Sequence, residues 1–173
     1  LQVTVNAVQD KCGAVTMDLA AGDTPLMRGI TLGLNTTKRS FQQLRLVKEQ
    51  QMKDVHSQYT MLQGKRLQIH TSSNDCRYTF VNAANDTLVL LVRLSNDGVA
   101  FRYVVPTVKS DEKVTGEATS YPVANGVKRW VASYDIGYEQ FYPLATSGND
   151  LRNGQDGNWG YPALFEPADG KFV

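Results

Sequence analysis

The sequence predicts an all-β domain, an antiparallel β-sandwich spanning residues 1–173 as one unit. Three observations point there. Short runs rich in β-branched and aromatic residues recur at intervals of roughly 8–12 residues. Gly, Pro, Asn and Asp punctuate the gaps and supply turn chemistry. No stretch sustains a long helical period between the runs.

In chain order, Leu1 to Val8 alternates apolar and polar residues and reads as a half-buried strand. Gln9-Asp10-Lys11 turns the chain, and Cys12 to Leu19 forms a second strand suited to pair with the first. Ala20 to Pro25 breaks it. Leu26 to Leu34 is apolar but holds Gly29 and Gly33, which predicts a bend or bulge. Ser40 to Tyr59 is contested. Ser40 suits a helix cap, and Phe41, Leu44 and Val47 sit near helical spacing. Leu44 and Leu46 also alternate, and the surrounding strands favour a strand here. Gly64-Lys65-Arg66 is a turn. Leu67 to Thr71 is a strand closed by Ser72-Ser73-Asn74-Asp75, and Cys76 to Val81 is another short one. Asn82 to Asp86 turns again.

Leu88 to Pro106 is the strongest element. Two β-prone runs flank Asn96-Asp97-Gly98, residues that tolerate positive φ, and Pro106 ends the second run because it cannot donate to a ladder. A two-residue turn at Asp97-Gly98 sets Leu94 opposite Phe101, Val92 opposite Tyr103 and Leu90 opposite Val105, all on one face. It also sets Arg93 opposite Arg102, an unfavourable like-charge pair. A three-residue loop with a bulge at Gly98 would pair the faces differently. Either way the hairpin buries a face and belongs centrally in a sheet. Beyond it, Val108 to Glu112 is a polar loop, and strands are expected within Val114–Tyr121 and over Lys128–Tyr134.

Bulk properties narrow the function. The net charge is +1, which disfavours a dedicated nucleic-acid or polyanion binder. No apolar run approaches the about 20 residues of a membrane span. The chain begins at Leu1 with no signal-peptide pattern, read most simply as a processed or trimmed chain. Cys12 and Cys76 allow one disulfide in an oxidising compartment or two separate thiols. With His56 and His70 they lack the close spacing of a zinc site.

Candidate chemistry concentrates late in the chain. Ser147 to Asn158 is rich in oxygen ligands around Gly, yet departs from the EF-hand pattern and suits a long turn equally well. Trp130, Tyr134, Tyr138, Phe141, Tyr142, Trp159 and Tyr161 cluster with amides and carboxylates, as sugar binding requires. Trp130 and Phe141 are expected in the core. Trp159, Tyr161, Asn158 and Tyr138 are the candidates for carbohydrate contact or an interface. Glycoside hydrolysis needs two carboxyl groups across the scissile bond. Glu117, Asp135, Glu139 and Glu166 are the candidates, and none lies in a recognisable catalytic motif.

Three segments carry a family resemblance. Asn96-Asp97-Gly98-Val99-Ala100-Phe101-Arg102-Tyr103, Ser133 to Pro143 with its Tyr138-Glu139-Gln140-Phe141-Tyr142 core, and Asn158 to Phe165 occur in the same order as in glycoside hydrolase family 97. The chain resembles the N-terminal domain of that family, most clearly from Gly64 onward. In place of the family's usual aromatic residues, Lys48-Glu49-Gln50-Gln51 stands here.

The resemblance implies a β-super-sandwich of galactose-mutarotase type, placed ahead of a catalytic (β/α)8 barrel and a C-terminal β domain. Family members hydrolyse α-glucosides or α-galactosides, with carboxylates on the barrel and an active-site Ca²⁺ held by glutamates. The one such glutamate from the N-terminal domain is expected beyond Val173, and Glu166 does not match its motif. No catalytic residue and no metal ligand is thus expected in this chain. Its expected partners are the barrel of the same polypeptide and an α-glycoside carbohydrate. Export to a bacterial periplasm is also implied, which would permit a Cys12–Cys76 bridge. The alternatives are a free-standing carbohydrate-binding or adhesion module, and a purely structural β domain.

Overall fold

The computed structural model describes residues 1–147, 158–168 and 170–173. Through these run twelve strands: β1 (Gln2–Asn6), β2 (Gly13–Ala21), β3 (Thr24–Leu32), β4 (Leu34–Thr36), β5 (Gln43–Thr60), β6 (Gln68–Val81), β7 (Thr87–Leu94), β8 (Val99–Val104), β9 (Val114–Glu117), β10 (Lys128–Trp130), β11 (Leu144–Ala145) and β12 (Leu164–Glu166). The main sheet follows the order β1-β2-β5-β6-β7-β8, with β3 also paired to β2; β11-β10-β12 and β4-β9 form two smaller sheets. Every pairing of named strands is antiparallel. The fold is all-β, as the sequence predicts.

One face of the main sheet holds the core. Val15 and Met17 alternate inward on β2, Leu88, Leu90 and Val92 on β7, and Phe80 on β6, joined by Ile30, Phe41 and Leu44. Val123, Phe165 and Val173 bring the C-terminal elements onto this same core.

Local chemistry explains the irregular places. Gly29 adopts φ +71°, a conformation that disfavours a Cβ, and its N–H donates to Asp18 Oδ1 at 2.7 Å. A Cβ on Gly33 would lie 3.0 Å from the Phe41 carbonyl oxygen, so the close approach of β4 to the segment before β5 requires glycine. Buried Asn82 closes the turn before β7: its Oδ1 accepts from the N–H groups of Ala84 (3.0 Å) and Asp86 (2.9 Å), and Nδ2 donates to the Ser40 carbonyl at 3.2 Å.

The contested Ser40–Tyr59 segment is strand from Gln43 on. Leu44 and Leu46 alternate inward, while Val47 sits at a register shift and is 54% exposed. The helical spacing was a coincidence of a residue before the strand, Phe41, with one inside it. The Ser-Ser-Asn-Asp run does not break β6, which is continuous from Gln68 to Val81. Pairing with β5 supplies its ladder, Ser73 Oγ bonds Asp75 at 2.8 Å, and Asn74 Oδ1 accepts from the Asp54 N–H at 3.1 Å.

The central hairpin keeps its expected face but not its expected pairing. Ser95 N–H donates to the Gly98 carbonyl at 2.9 Å, so Asn96-Asp97 is the tip. Val92 then faces Phe101, Leu90 faces Tyr103, and Arg93 faces Ala100 instead of Arg102. A shift of two residues preserves which side chains point inward and removes the like-charge pair. Arg93 is left free to donate to Asp75 on β6, with Nη2 to Oδ2 at 2.6 Å. β7 is internal, whereas β8 ends the sheet. The later strands are shorter than expected, Val114–Glu117 and Lys128–Trp130.

Cys12 and Cys76 are both free thiols, so the permitted disulfide does not form. Cys12 Sγ points to the Val81 carbonyl (3.9 Å), and Cys76 Sγ to Glu49 Oε1 (3.8 Å). Val81 and Cys76 lie five residues apart on one strand, about 17 Å, well beyond bridging distance.

Candidate functional site

The late aromatic residues are positioned by β3 and by two strips of irregular chain. Thr31 on β3 exchanges backbone hydrogen bonds with Ser120 (3.1 and 3.2 Å), and Ala118 N–H donates to the Gly33 carbonyl at 2.9 Å. This clamps Ala118–Tyr121 to the main sheet. Tyr134 N–H donates to the Asn158 carbonyl, and Gly160 N–H to that of Ala132, both at 2.9 Å. Trp159 therefore lies along the 132–134 strip. Phe165 and Val173 exchange two backbone hydrogen bonds, 2.8 and 2.9 Å, which fasten the C-terminal residues to β12.

Between these strips opens a cleft of about 630 Å³. Leu19, Met27, Val123 and Val131 are among its apolar lining, Tyr121, Trp159, Tyr161 and Phe165 are its aromatics among the described residues, and Thr119 and Ser120 bring hydroxyls. Among the described residues its one charged lining residue is Arg129, buried at 6% exposure. Nη2 of Arg129 donates to the Ala124 carbonyl at 2.7 Å and Nε to that of Val127 at 3.3 Å, so its fork ties the turn before β10. Burial pushes the Tyr121 phenol above its ordinary value, with Tyr161 nearby adding to the shift. The cleft offers flat aromatic faces and hydroxyls to a sugar, or an apolar seat to another domain.

Of the residues singled out from sequence, Trp159 and Tyr161 share this cleft. Asn158 is exposed beside it and contributes its backbone carbonyl. Tyr138 stands apart, at φ 54°, edge-on to Tyr134 with ring centroids 6.3 Å apart. It lines a separate small hollow with Asp135, Gln140 and Tyr142, which Tyr161 also borders. Trp130 is half-buried against Phe172 at 6.2 Å. Phe141 is not core: it is 91% exposed, in a loop with no ladder to direct it inward. Ile136, Tyr138 and Phe141, within one loop, are exposed at 85%, 73% and 91%. Tyr121, Thr119 and Arg129 escaped sequence reasoning, because no spacing links them to Trp159.

Of the four candidate carboxylates, Asp135 and Glu139 both flank Gly137, at 3.4 and 3.8 Å from where its Cβ would stand. Glu166 Oε2 pairs with Lys128 at 2.9 Å and Oε1 accepts from Gly170 N–H at 3.0 Å, which holds its carboxyl below the ordinary range. Asp135 borders the small hollow, Glu117 lies on β9, and Glu139 is exposed in the 134–143 loop. Residues 148–157 of the oxygen-rich loop lie outside the described residues.

Comparison with known proteins shows the family. A family model described as "Glycosyl-hydrolase 97 N-terminal" matches residues 1–173. A probable retaining alpha-galactosidase of Streptomyces bingchenggensis (strain BCW-1) is 26% identical over 157 residues, covering 89% of this chain and 23% of that protein. The crystal structure of a beta-arabinopyranosidase superposes with a TM-score of 0.85 at 20% identity, covering 99% of this chain and 29% of that one. A glycoside hydrolase family 97 enzyme from Pseudoalteromonas sp. strain K8, in complex with acarbose, gives 0.75 at 18% identity, covering 97% and 26%. The chain thus spans about a quarter of the length of these relatives, and the solved structures speak for the fold.

Proposed function

Because this chain belongs to the glycosyl-hydrolase 97 N-terminal family, we propose that it is the non-catalytic N-terminal sandwich of a glycosidase acting on α-glucosides or α-galactosides. In this reading it packs on a catalytic (β/α)8 barrel of the same polypeptide and walls one side of the substrate cleft. Its contribution is positioning rather than proton transfer. The observation that carries the reading is the number of large apolar side chains left exposed here: Ile136, Tyr138 and Phe141 in one loop, with Leu144 (57%) and Tyr161 (74%). Several large apolar side chains left in solvent suit a docking surface.

The family implies calcium in the active site of the whole enzyme. Among the described residues no three His, Cys, Asp or Glu side chains come together to hold an ion. Glu166 is committed to Lys128 and Gly170. These residues do not fit the ion. Export to the periplasm extends the proposal on the family resemblance; a secretory signal upstream of Leu1 in the coding sequence supports it, and a cytoplasmic start there removes it.

The test compares turnover of p-nitrophenyl α-glucoside and α-galactoside by this chain and by the polypeptide its gene encodes beyond Val173. Activity confined to the longer protein, and lowered by Phe141→Ser, supports the reading. Turnover by the 173-residue chain overturns it. A second reading, a free carbohydrate-binding module, is favoured by the Tyr121–Trp159–Tyr161 cleft; a Trp159-dependent affinity of this chain for neutral α-glucans would select it.

A further inference from the structure

The main sheet ends at β8, whose outer side pairs with no other strand. Hydrogen-bonded and non-hydrogen-bonded pairs alternate along an antiparallel ladder. Ser95 and Gly98 are a hydrogen-bonded pair. Ala100, Arg102 and Val104 therefore turn their backbone groups toward β7, and Val99, Phe101 and Tyr103 turn theirs outward. Among the described residues, none of these three outward N–H groups or carbonyls has a backbone partner.

Proteins ordinarily blunt such an edge with a bulge, a proline or an inward-pointing charge. β8 has none of these. Its register on β7 runs without a shift from Val99 to Val104, whereas the β2–β3, β4–β9 and β5–β6 pairings are all irregular. Its inward side chains, Val99, Phe101 and Tyr103, pack against the core. On the outer face the register sets Arg77, Leu91 and Arg102 in one row and Asp75, Arg93 and Ala100 in the next. Arg102 is the one charged residue of β8.

We propose that β8 pairs antiparallel with β8 of a second copy of this chain, about a two-fold axis. An axis passing between two residues would oppose outward groups to inward ones, so it must pass through a residue. An axis at Arg102 sets that side chain against its own copy, a like-charge contact. An axis at Phe101 sets Arg102 against the partner's Ala100 and Val99 against the partner's Tyr103. The two Phe101 rings then stand next to each other on the inward face. Each outward residue falls in a hydrogen-bonded pair, so its N–H and its carbonyl are both satisfied. This self-complementarity selects a second copy over an unrelated strand: the apolar inward face continues across the seam, and the one charge meets alanine. A seam of one strand from each copy is smaller than the about 1,200 Å² of a standard interface, so association is weak. The proposal does not rest on the glycosidase reading.

Sedimentation velocity of the 173-residue chain over a dilution series reads the association, and hydrogen exchange over the same series reads the edge. The dimer is expected to grow with concentration, and exchange at the amides of Val99, Phe101 and Tyr103 to slow in step. Ala100→Lys sets a cation against the partner's Arg102 on both sides of the axis and should weaken association about fivefold. Ala100→Lys/Arg102→Glu turns both repulsions into opposite-charge pairs and should restore it. Both side chains are exposed, and circular dichroism melts confirm that the variants fold. The proposal is overturned if the chain stays monomeric at millimolar concentration. It is equally overturned if the double variant associates no better than Ala100→Lys, or if the three amides are protected alike at every dilution. A monomeric longer polypeptide with these amides protected also overturns it, since another of its own segments then takes the edge. Turnover reads neither the seam nor these amides, so failure here leaves the glycosidase reading standing.

Discussion

Replacing Tyr103 by Phe removes one oxygen atom and nothing else. Tyr103 lies on β8 with its ring on the core and edge-on to Phe101, centroids 5.8 Å apart. Its hydroxyl accepts from the Gly33 N–H at 2.9 Å and shares a proton with Thr119 Oγ1 at 2.8 Å. Burial pushes the phenol above its ordinary value, so the neutral hydroxyl is the form present. Tyr103→Phe keeps the ring and its apolar burial but leaves the Gly33 N–H without its acceptor. Losing one partner of a buried backbone donor costs about 1–3 kcal/mol. For a chain of this size that corresponds to a Tm lowered by roughly 2–12 °C. Urea unfolding should show a lower midpoint with an unchanged slope, since the surface exposed on unfolding is the same. Thr119→Val should cost less, because it leaves the tyrosine hydroxyl bonded to Gly33. A Tyr103→Phe loss below about 0.5 kcal/mol, within the range of surface substitutions, would refute the claim that this hydroxyl pins β8 to the start of β4.

Other outcomes follow from the same structure. Phe80→Ala, at a side chain 1% exposed, should cost about 3–5 kcal/mol in urea unfolding through lost burial and a cavity. Glu112 is held to a pKa of about 2, chiefly by its hydrogen bonds from Arg39, helped by the Thr36 hydroxyl and the Lys109 N–H. A depressed carboxylate stabilises the fold above its unfolded value, near 4.3, and loses that contribution as pH falls toward 2. Glu112→Gln should therefore melt below the parent at pH 7 and converge with it near pH 2; parallel Tm curves across that window would contradict this. Gly29→Ala, at φ +71°, should lower stability by about 1–2 kcal/mol, and an equal or higher urea midpoint would count against the strain. With Cys12 and Cys76 both free, dithiothreitol should leave the Tm unchanged and the unfolded chain should titrate two thiols; a drop in Tm on reduction would mean a bridge exists.

Much of the fold was legible because period-2 alternation is local. Val15 and Met17 alternate with Thr16 and Asp18 and show their face without reference to any partner, whereas Leu88 to Val92 is apolar throughout and shows none. The central hairpin was readable as a hairpin with a buried face, although both faces stayed open. Its pairing was not, since a slip of two residues preserves the alternation. What decided it was Asp75 on β6, which takes Arg93, and the Ser95–Gly98 hydrogen bond. The length of β6 was hidden for a related reason. Ser, Asn and Asp weaken a strand by local preference, and only the long partner β5 overrides them.

The candidate site divides the same way. Sequence alone determined that this is an antiparallel β domain, that its central hairpin buries a face, and that its aromatic residues gather late in the chain. Tertiary structure decided which of them meet. Trp159 and Tyr161 join Tyr121 in one cleft, although some 40 residues separate them, because β3 clamps Ser120 while the 132–134 strip holds Trp159. Tyr138 is left apart, and Phe141 points outward for want of a ladder. The row of Arg77 and Arg102 on either side of Leu91 likewise exists only through the registers of three strands. Alternation along one strand is fixed by backbone geometry, whereas proximity between distant strands is set by hydrogen-bond registry, which no local pattern encodes.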